Sequence, residues 1–586
     1  MVKTSAFVAL LMGTTTPLWA QTAPVSPPNA GTLLEQQRRL GPPALPQAVE
    51  PGVLPTVPAT PAPPPGPVDP GRLTTVLRFQ PEGTTLVDPA AVQAVLSRWL
   101  NRPVSLADLR EATAAVEALY RQRGWLARVS LPGQDITDGT VRLAVTESRL
   151  GRIVLQQGDK PLAATPTARV QALLAQLLAT GQPLNLPTLE RALLLADDIP
   201  GVRVNGSLQA SDTPGSTDVV VALSPSVPYR GQASLDNGGN RATGSERATA
   251  QLSLLSPLGQ GEQINLHGSA SRGSQYLSLG GYLPVGNQGW RIAATAGVLR
   301  YQVRDARNTT TGLPPEGSIT GWGASVQYPL VRTALSNWLL SAGLLQTQWR
   351  NRDDNQTLGV MEIASRGRSR TLELGLVGNQ FDQLGGGGAN NASLALTQGR
   401  LSLDGSPIQV ADAYTVATQG RYSKLRWSAS RLQTLTPSLS LLGSATGQFA
   451  SANLDPSEKM YLGGMDGVRA YPNAEGGGST GTRASLELRQ DLDAQWQASA
   501  FYDWGQVQQY KHNRYASSSA TPLVAHNRIT LQGAGLALTW RGAHGVQVQG
   551  TWARRIGSNP LATPSGADTD GSLHTNRFWL NASVAF

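Results

Sequence analysis

Between residues 73 and 148 the apolar positions change period several times. Leu73–Phe79 alternates as a strand. Val92, Val95, Leu96, Trp99 and Leu100 then recur at helical spacing. Ser105 with Asp108 forms a capping box ahead of a second helix bearing Leu106, Leu109, Val116, Leu119 and Tyr120, and Gly124 ends it. Strands at 126–131 and through Val141, Leu143 and Val145 complete the order β-α-α-β-β. Residues 149–224 repeat that order. A strand at 152–156 precedes a helix begun by Thr165-Pro166 and carrying Val170, Leu173, Leu174, Leu177 and Leu178. A second helix covers about 189–196, and strands near 202–208 and 219–223 follow.

From residue 229 onward helical spacing gives way to short alternating runs. The pattern predicts sixteen strands, at 229–236, 246–256, 262–271, 275–284, 290–303, 318–330, 336–349, 367–381, 392–403, 420–435, 438–453, 482–491, 496–508, 526–541, 545–557 and 575–586. Connections at 257–261, 286–289, 332–335, 436–437 and 542–544 are tight. Those at 304–317, 350–366, 404–419, 454–481, 509–525 and 558–574 are long, whereas the first two long-side connections are short and the Gly-rich turn near Gly385 is long. Short turns alternating with long loops are the mark of a transmembrane β-barrel. In the last strand Phe578, Leu580, Ala582, Val584 and Phe586 share one face, an apolar stripe about as long as a membrane strand. A final Phe on that face is what such barrels commonly present to their assembly machinery.

Composition agrees with that pattern. Charged residues make up 15% and hydrophobic ones 40%, both below soluble-protein norms, as strands wetted on one face and lipid-covered on the other require. Residues 1–20 read as a signal peptide, with Lys3, an apolar run and a small residue at Ala20. Residues 21–41 contain a polar helical segment, TLLEQQRRL, read either as a plug-like helix suited to a polar cavity or as a disordered tail, and 42–72 form a proline-rich linker. Zero cysteines exclude a disulfide scaffold and a thiol enzyme. The net charge of +9 is spread without a basic block, which argues against nucleic acid. Five scattered histidines lack metal spacing, Gly477–Gly481 matches G-x-S-x-G only formally, and no P-loop is present. The expectation is a protein without cofactor, metal or catalytic residues.

Four segments carry a family resemblance. The first is RQRGWLARVSLPGQDITDGTVRLAV at 121–145, with Gly124, Pro132, Gln134, Asp135 and Gly139. The second is Asp236-Asn237-Gly238 followed by Thr243-Gly244. The third is Val468-Arg469-Ala470-Tyr471 in the longest connection, with Ala470 where glycine is usual. The fourth is Phe501-x-Asp503-x-Gly505. Together they resemble the outer-membrane transporters of two-partner secretion, in the superfamily of the outer-membrane insertases. The resemblance implies a 16-stranded barrel (227–586) with an inward-folded loop (454–481) and two periplasmic POTRA domains (73–148 and 149–226). It also implies a secreted partner exoprotein of adhesin or haemolysin type, captured by the POTRA domains through its N-terminal secretion domain. Biogenesis would use the barrel assembly machinery and outer-membrane lipid. Alternation sets Phe501, Asp503 and Gly505 on one strand face. Asp503 must face the lumen, because a charge on the lipid face is costly. The resemblance supplies Arg469 as its partner. An insertase of the same superfamily and a plain porin or adhesin barrel are the rival readings.

Overall fold

The computed structural model describes residues 29–40, 73–136, 138–158, 162–305, 312–355, 360–518 and 520–586. The stretches read as signal peptide and proline-rich linker lie outside the described residues. Two α/β units come first. In one, strand Arg78–Glu82 runs parallel to Thr140–Glu147, which pairs antiparallel with Ala127–Ser130. In the other, Arg149–Gln157, Ser216–Pro225 and Val202–Ala210 repeat the same sheet order and senses. Helices Pro89–Leu96 and Leu106–Gln122 cover the first sheet; Ala164–Leu177 and Leu186–Asp197 cover the second. The apolar stripes read from sequence build both cores, around Trp99 and Tyr120 in one and Leu174 and Leu193 in the other. The Ser105–Asp108 capping box is made in both directions.

Two local expectations change. Leu73–Phe79 is not one strand: Thr74–Thr75 pairs with Pro103–Val104, and the sheet strand starts at Arg78. The break falls where Leu77 and Arg78 both donate their N–H groups to the Gly139 carbonyl. The helix expected from Leu189 begins at Leu186, because Asn185 caps it by accepting the Thr188 N–H at 2.9 Å.

Sixteen antiparallel strands close into a barrel, from Tyr229–Asp236 to Asn576–Ala585. Each pairs with its chain neighbour, and the last pairs with the first through Asn581↔Asp236 to Ala585↔Gln232. An outward belt of apolar side chains surrounds the barrel, among them Leu277, Trp322, Leu344, Leu372, Leu396, Leu538 and Phe578. The expected long loop 350–366 is mostly hairpin. The seventh strand runs Ser336–Asn355 and the eighth Val360–Asp382. This part of the hairpin stands beyond the apolar belt, where polar side chains suit both faces, so hydrophobic alternation gave no sign of it. The Gly-rich turn near Gly385 is tight, spanning 383–387. Gly385, Gly386 and Gly387 all take positive φ, which lets the chain reverse in so few residues.

The second α/β unit docks on the tight-turn end of the barrel. The Asp198 carboxylate accepts from Arg332 at 2.8 and 3.0 Å and from Arg291 at 3.2 Å. Arg191 donates to the Pro329 carbonyl at 2.7 Å, and Glu190 accepts the Ala334 N–H at 2.6 Å. The two units are themselves laced together by backbone bonds: Leu184 N–H to the Ser148 carbonyl (2.8 Å) and Leu186 N–H to the Gly124 carbonyl (2.9 Å).

Candidate functional site

The connection between strands eleven (Leu439–Ala450) and twelve (Thr480–Asp491) folds back into the lumen. Its small hairpin pairs Met460–Tyr461 with Gly477–Gly478. Leu462, Val468, Ala470 and Tyr471 are buried against Phe501, Val507, Ile529, Leu531 and Ala553 on the barrel wall. Arg469 sits at the centre. Its Nε and Nη2 donate to the two Asp503 oxygens at 2.9 and 2.8 Å, and its backbone N–H adds a third bond at 3.0 Å. Nη1 reaches Glu487 at 2.8 Å, and Nη2 also meets the Ser485 hydroxyl at 3.1 Å. The guanidinium lies 3.3 Å from the Phe501 ring centroid. Asp503 is 1% exposed and Arg469 14%, so the fork-to-carboxylate geometry operates away from bulk water.

Close packing explains the small residues around it. A Cβ on Gly505 would stand 2.8 Å from Leu462. Ala470 has no positive φ, so alanine is sterically allowed where glycine is usual. Its methyl group is accommodated by Gly533, whose own Cβ would lie 2.6 Å from it. Tyr471 is fully buried, with Arg555 4.5 Å from its ring centroid.

The first-strand residues meet the same loop. Buried Asp236 pairs with Arg247 at 2.9 Å and accepts the Gly238 N–H at 2.8 Å. Asn473 donates to the Gly238 and Gly239 carbonyls at 2.6 and 3.0 Å. The Asn237 side chain prolongs the first-to-last-strand seam, donating to the Phe578 carbonyl (3.0 Å) and accepting the Leu580 N–H (2.8 Å). Thr243 is buried beside Gly244, and its carbonyl takes the Gly273 N–H at 2.6 Å. Phe578 and Phe586 face outward, 69% and 61% exposed. Phe586 packs edge-on against Tyr229. Trp579, on the inner face, donates to the Arg469 carbonyl at 2.8 Å.

Helix Ala30–Leu40 stands in the lumen beside the loop, in one apolar cluster with Leu454 of that connection. Leu33 and Leu34 pack with Leu299, Tyr301, Ile319, Trp349 and Tyr422. The cavity is therefore not purely polar on this side. Glu35 pairs with Arg426 at 3.2 Å, Gln37 accepts from Ser269 at 2.8 Å, and Gln36 donates to the Gly238 carbonyl at 2.8 Å. Gly31 lies so close to Ser457 of the inward loop that a Cβ there would meet its backbone nitrogen at 2.6 Å.

The signature residues of the first α/β unit are set apart from the lumen. Gly124, at φ +83°, ends helix Leu106–Gln122. Gln134 pairs through its amide with the backbone of Arg142, at 2.8 and 2.7 Å. Gly139 turns the chain into the central strand, while Pro132 and Asp135 lie in the connection before it. Ser479 of the G-x-S-x-G match is buried and held by Leu454 and Gln509 backbone groups. Among the described residues no group of His, Asp and Glu could hold a metal.

Some partners were missed in the sequence. Ser485 and Glu487 stand on the inner face of strand twelve, in register with Asp503 and Phe501. An acidic residue at an inward position was the available signal. Glu475, Asn559 and Asp568 tie the last outer loop to the inward loop, with Asn559 donating to Glu475 at 2.7 Å and to Asp568 at 2.8 Å. Two loops distant in sequence meet there, and no local pattern announces it.

A lipid-facing barrel with α/β units at its tight-turn end, and with a pinned loop and a helix in its lumen, defines an outer-membrane translocator. Comparison with known proteins makes this specific. The haemolysin secretion/activation protein ShlB/FhaC/HecB family matches residues 215–529, more than half of the chain, and the ShlB-type POTRA domain matches 74–148. The heme/hemopexin transporter protein HuxB of Haemophilus influenzae is 25% identical over 506 residues, covering 84% of this chain and 83% of its own. The outer membrane transporter CdiB of Dickeya dadantii is 25% identical over 477 residues, covering 80% and 79%. The solved structure of CdiB from Escherichia coli superposes with a TM-score of 0.64 at 20% identity, covering 97% of this chain and all of that one. The chain belongs to the ShlB/FhaC/HecB family. It is an outer-membrane transporter for a partner exoprotein in two-partner secretion, with its POTRA region in the periplasm.

Proposed function

We propose that transport proceeds by removal of the helix while the inward loop stays fixed, with no catalytic step. The partner's N-terminal secretion domain, of adhesin or haemolysin type, is captured in extended form on open POTRA edges. The outer strands Arg78–Glu82, Ala127–Ser130 and Val202–Ala210 have a strand partner on one side alone among the described residues, whereas the start of Arg149–Gln157 is already bonded to the 181–183 segment. Attachment of the second unit to the barrel through Asp198 supports capture beside the periplasmic mouth. The helix then leaves toward the periplasm, kept near by the proline-rich segment, and the exoprotein takes its place. The Arg469–Asp503–Glu487 cluster holds the loop as one wall of the channel. Phe578 and Phe586 serve the assembly machinery during insertion.

The carrying observation is the asymmetry of attachment. The loop is joined to the barrel at both ends and locked by a buried cluster of Arg469 with two carboxylates; among the described side chains the helix has one ion pair, Glu35–Arg426, and otherwise neutral hydrogen bonds. The test is export of a co-expressed partner by an Arg469→Ala variant, with barrel insertion read from heat-modifiable gel mobility. Inserted barrels that do not secrete support the role; normal secretion removes it.

A further inference from the structure

On the extracellular side of the apolar belt, six arginines face outward on four adjacent strands. Arg366, Arg368 and Arg370 occupy successive outward positions of strand eight, and all three are exposed. Strand pairing places Arg350 directly opposite Arg366, Arg400 opposite Arg370, and Arg421 opposite Arg400. Paired positions point to the same side of a sheet, so Arg370, Arg400 and Arg421 form a row crossing three strands. At ~4.8 Å per strand the row spans about 10 Å. Like charges directly opposite one another destabilise a sheet unless something neutralises them. Among the described residues none of the six meets a carboxylate. Arg370 donates only to Gln346, at 2.9 Å. Arg352, farther out on the same hairpin, has its own acidic partner in Glu316 at 2.9 Å.

What lies just below the arginines narrows the kind of anion that this surface suits. Strand eight continues from Arg370 to outward Leu372 and Leu374, and strand nine from Arg400 to Leu396 and Leu394. Charge passes to hydrocarbon contact within one or two outward positions. A ligand on this surface must therefore carry anionic groups above and acyl chains below, oriented along the barrel wall. Guanidinium forks match phosphate oxygens in pairs. We propose that this face of strands seven to ten binds a phosphorylated glycolipid of the outer leaflet, with its phosphates on the arginine row and its acyl chains against the leucines.

The test uses the full-length protein in detergent micelles and native mass spectrometry. Diphosphoryl lipid A is compared with the same lipid after phosphatase treatment, and inorganic phosphate is the third probe. The wild-type protein is expected to retain the diphosphoryl form on the order of tenfold better than the dephosphorylated one. Inorganic phosphate should not displace it at matched concentration. The quadruple variant Arg366→Gln, Arg368→Gln, Arg370→Gln and Arg400→Gln should lose that preference while keeping the heat-modifiable mobility of a closed barrel. Equal retention of the two lipids by the wild-type protein overturns the proposal, and that comparison requires no variant. Displacement by inorganic phosphate alone, or an unchanged preference in the folded quadruple variant, overturns it equally.

Discussion

The lumen holds two occupants fixed in different ways. The inward loop presents Arg469 to two carboxylates and a hydroxyl, on a surface where Leu462, Val468 and Ala470 are almost fully buried. The helix offers a Glu35–Arg426 ion pair, hydrogen bonds of Gln36, Gln37 and the Ala30 N–H, and the apolar contacts of Leu33 and Leu34. Removing one member of a buried charge cluster leaves the others desolvated and unpaired, a loss of about 3–5 kcal/mol. The neutral bonds of Gln36 and Gln37 contribute about 1 kcal/mol each, and the single charged bond between Glu35 and Arg426 about 1.5–3 kcal/mol. The comparison teaches that a channel can be both built and closed by its contents. On the proposed mechanism the more strongly bound element serves as wall and the other as stopper.

The largest expected effect falls on the loop. Arg469→Ala should abolish secretion in barrels that still insert, and Arg469→Lys should recover only part of it because an ammonium cannot span both Asp503 oxygens. Secretion assays with matched amounts of inserted barrel decide this. Next comes loss of the helix: deleting residues 30–40 should raise single-channel conductance in planar bilayers, and unchanged conductance would equate the two occupants. A smaller effect belongs to the packing of Ala470. Gly533→Ala should destabilise the loop by about 1–3 kcal/mol through its clash with the Ala470 methyl. Ala470→Gly in the same chain should recover most of that, which thermal unfolding of the detergent-solubilised barrel would show. A comparable effect is expected for Glu35→Gln, which removes the charge that faces Arg426 from a buried carboxyl position and should raise the frequency of open-channel events roughly tenfold, on the order of 1.5 kcal/mol.

The smallest effect lies outside the lumen, in the first POTRA domain. Burial alone would raise the Glu147 carboxyl, but bonds from the Thr85 hydroxyl, the Leu86 and Thr85 N–H groups and the Tyr120 hydroxyl outweigh it and hold it below its usual range. A carboxyl depressed in the folded state stabilises fully above its unfolded value, near ~4.3, and loses that contribution as pH falls through the folded one. Wild-type protein should therefore lose POTRA stability on acidification below about pH 4 more steeply than Glu147→Gln. Far-ultraviolet circular dichroism against pH checks the difference.

Much of this architecture could be read from the chain. Alternation located all sixteen strands because each must present apolar groups to lipid, and the ends moved most where the strands leave the lipid. The hairpin at 350–366 escaped for that reason. Helix stripes located both α/β units, while the early start of Leu186–Asp197 was hidden in the Asn185 cap. At the site, Asp503 was legible because a charge amid outward aromatics has to turn inward. Glu487 carried the same signal but stands in no motif. The Ala470–Gly533 fit and the Glu475–Asn559–Asp568 bridge join strands and loops far apart in sequence, so they become visible only once the barrel closes.

The claim that the helix moves and the loop stays has a direct measurement, made easier by a chain without native cysteine. Leu33→Cys on the helix and Leu462→Cys in the loop, both buried, would each be probed with a membrane-impermeant maleimide while a partner exoprotein is exported. The account predicts that Cys at 33 becomes labelled only during export and that Cys at 462 stays protected throughout. Labelling at 462 during export, or continued protection at 33 in actively secreting cells, would contradict it.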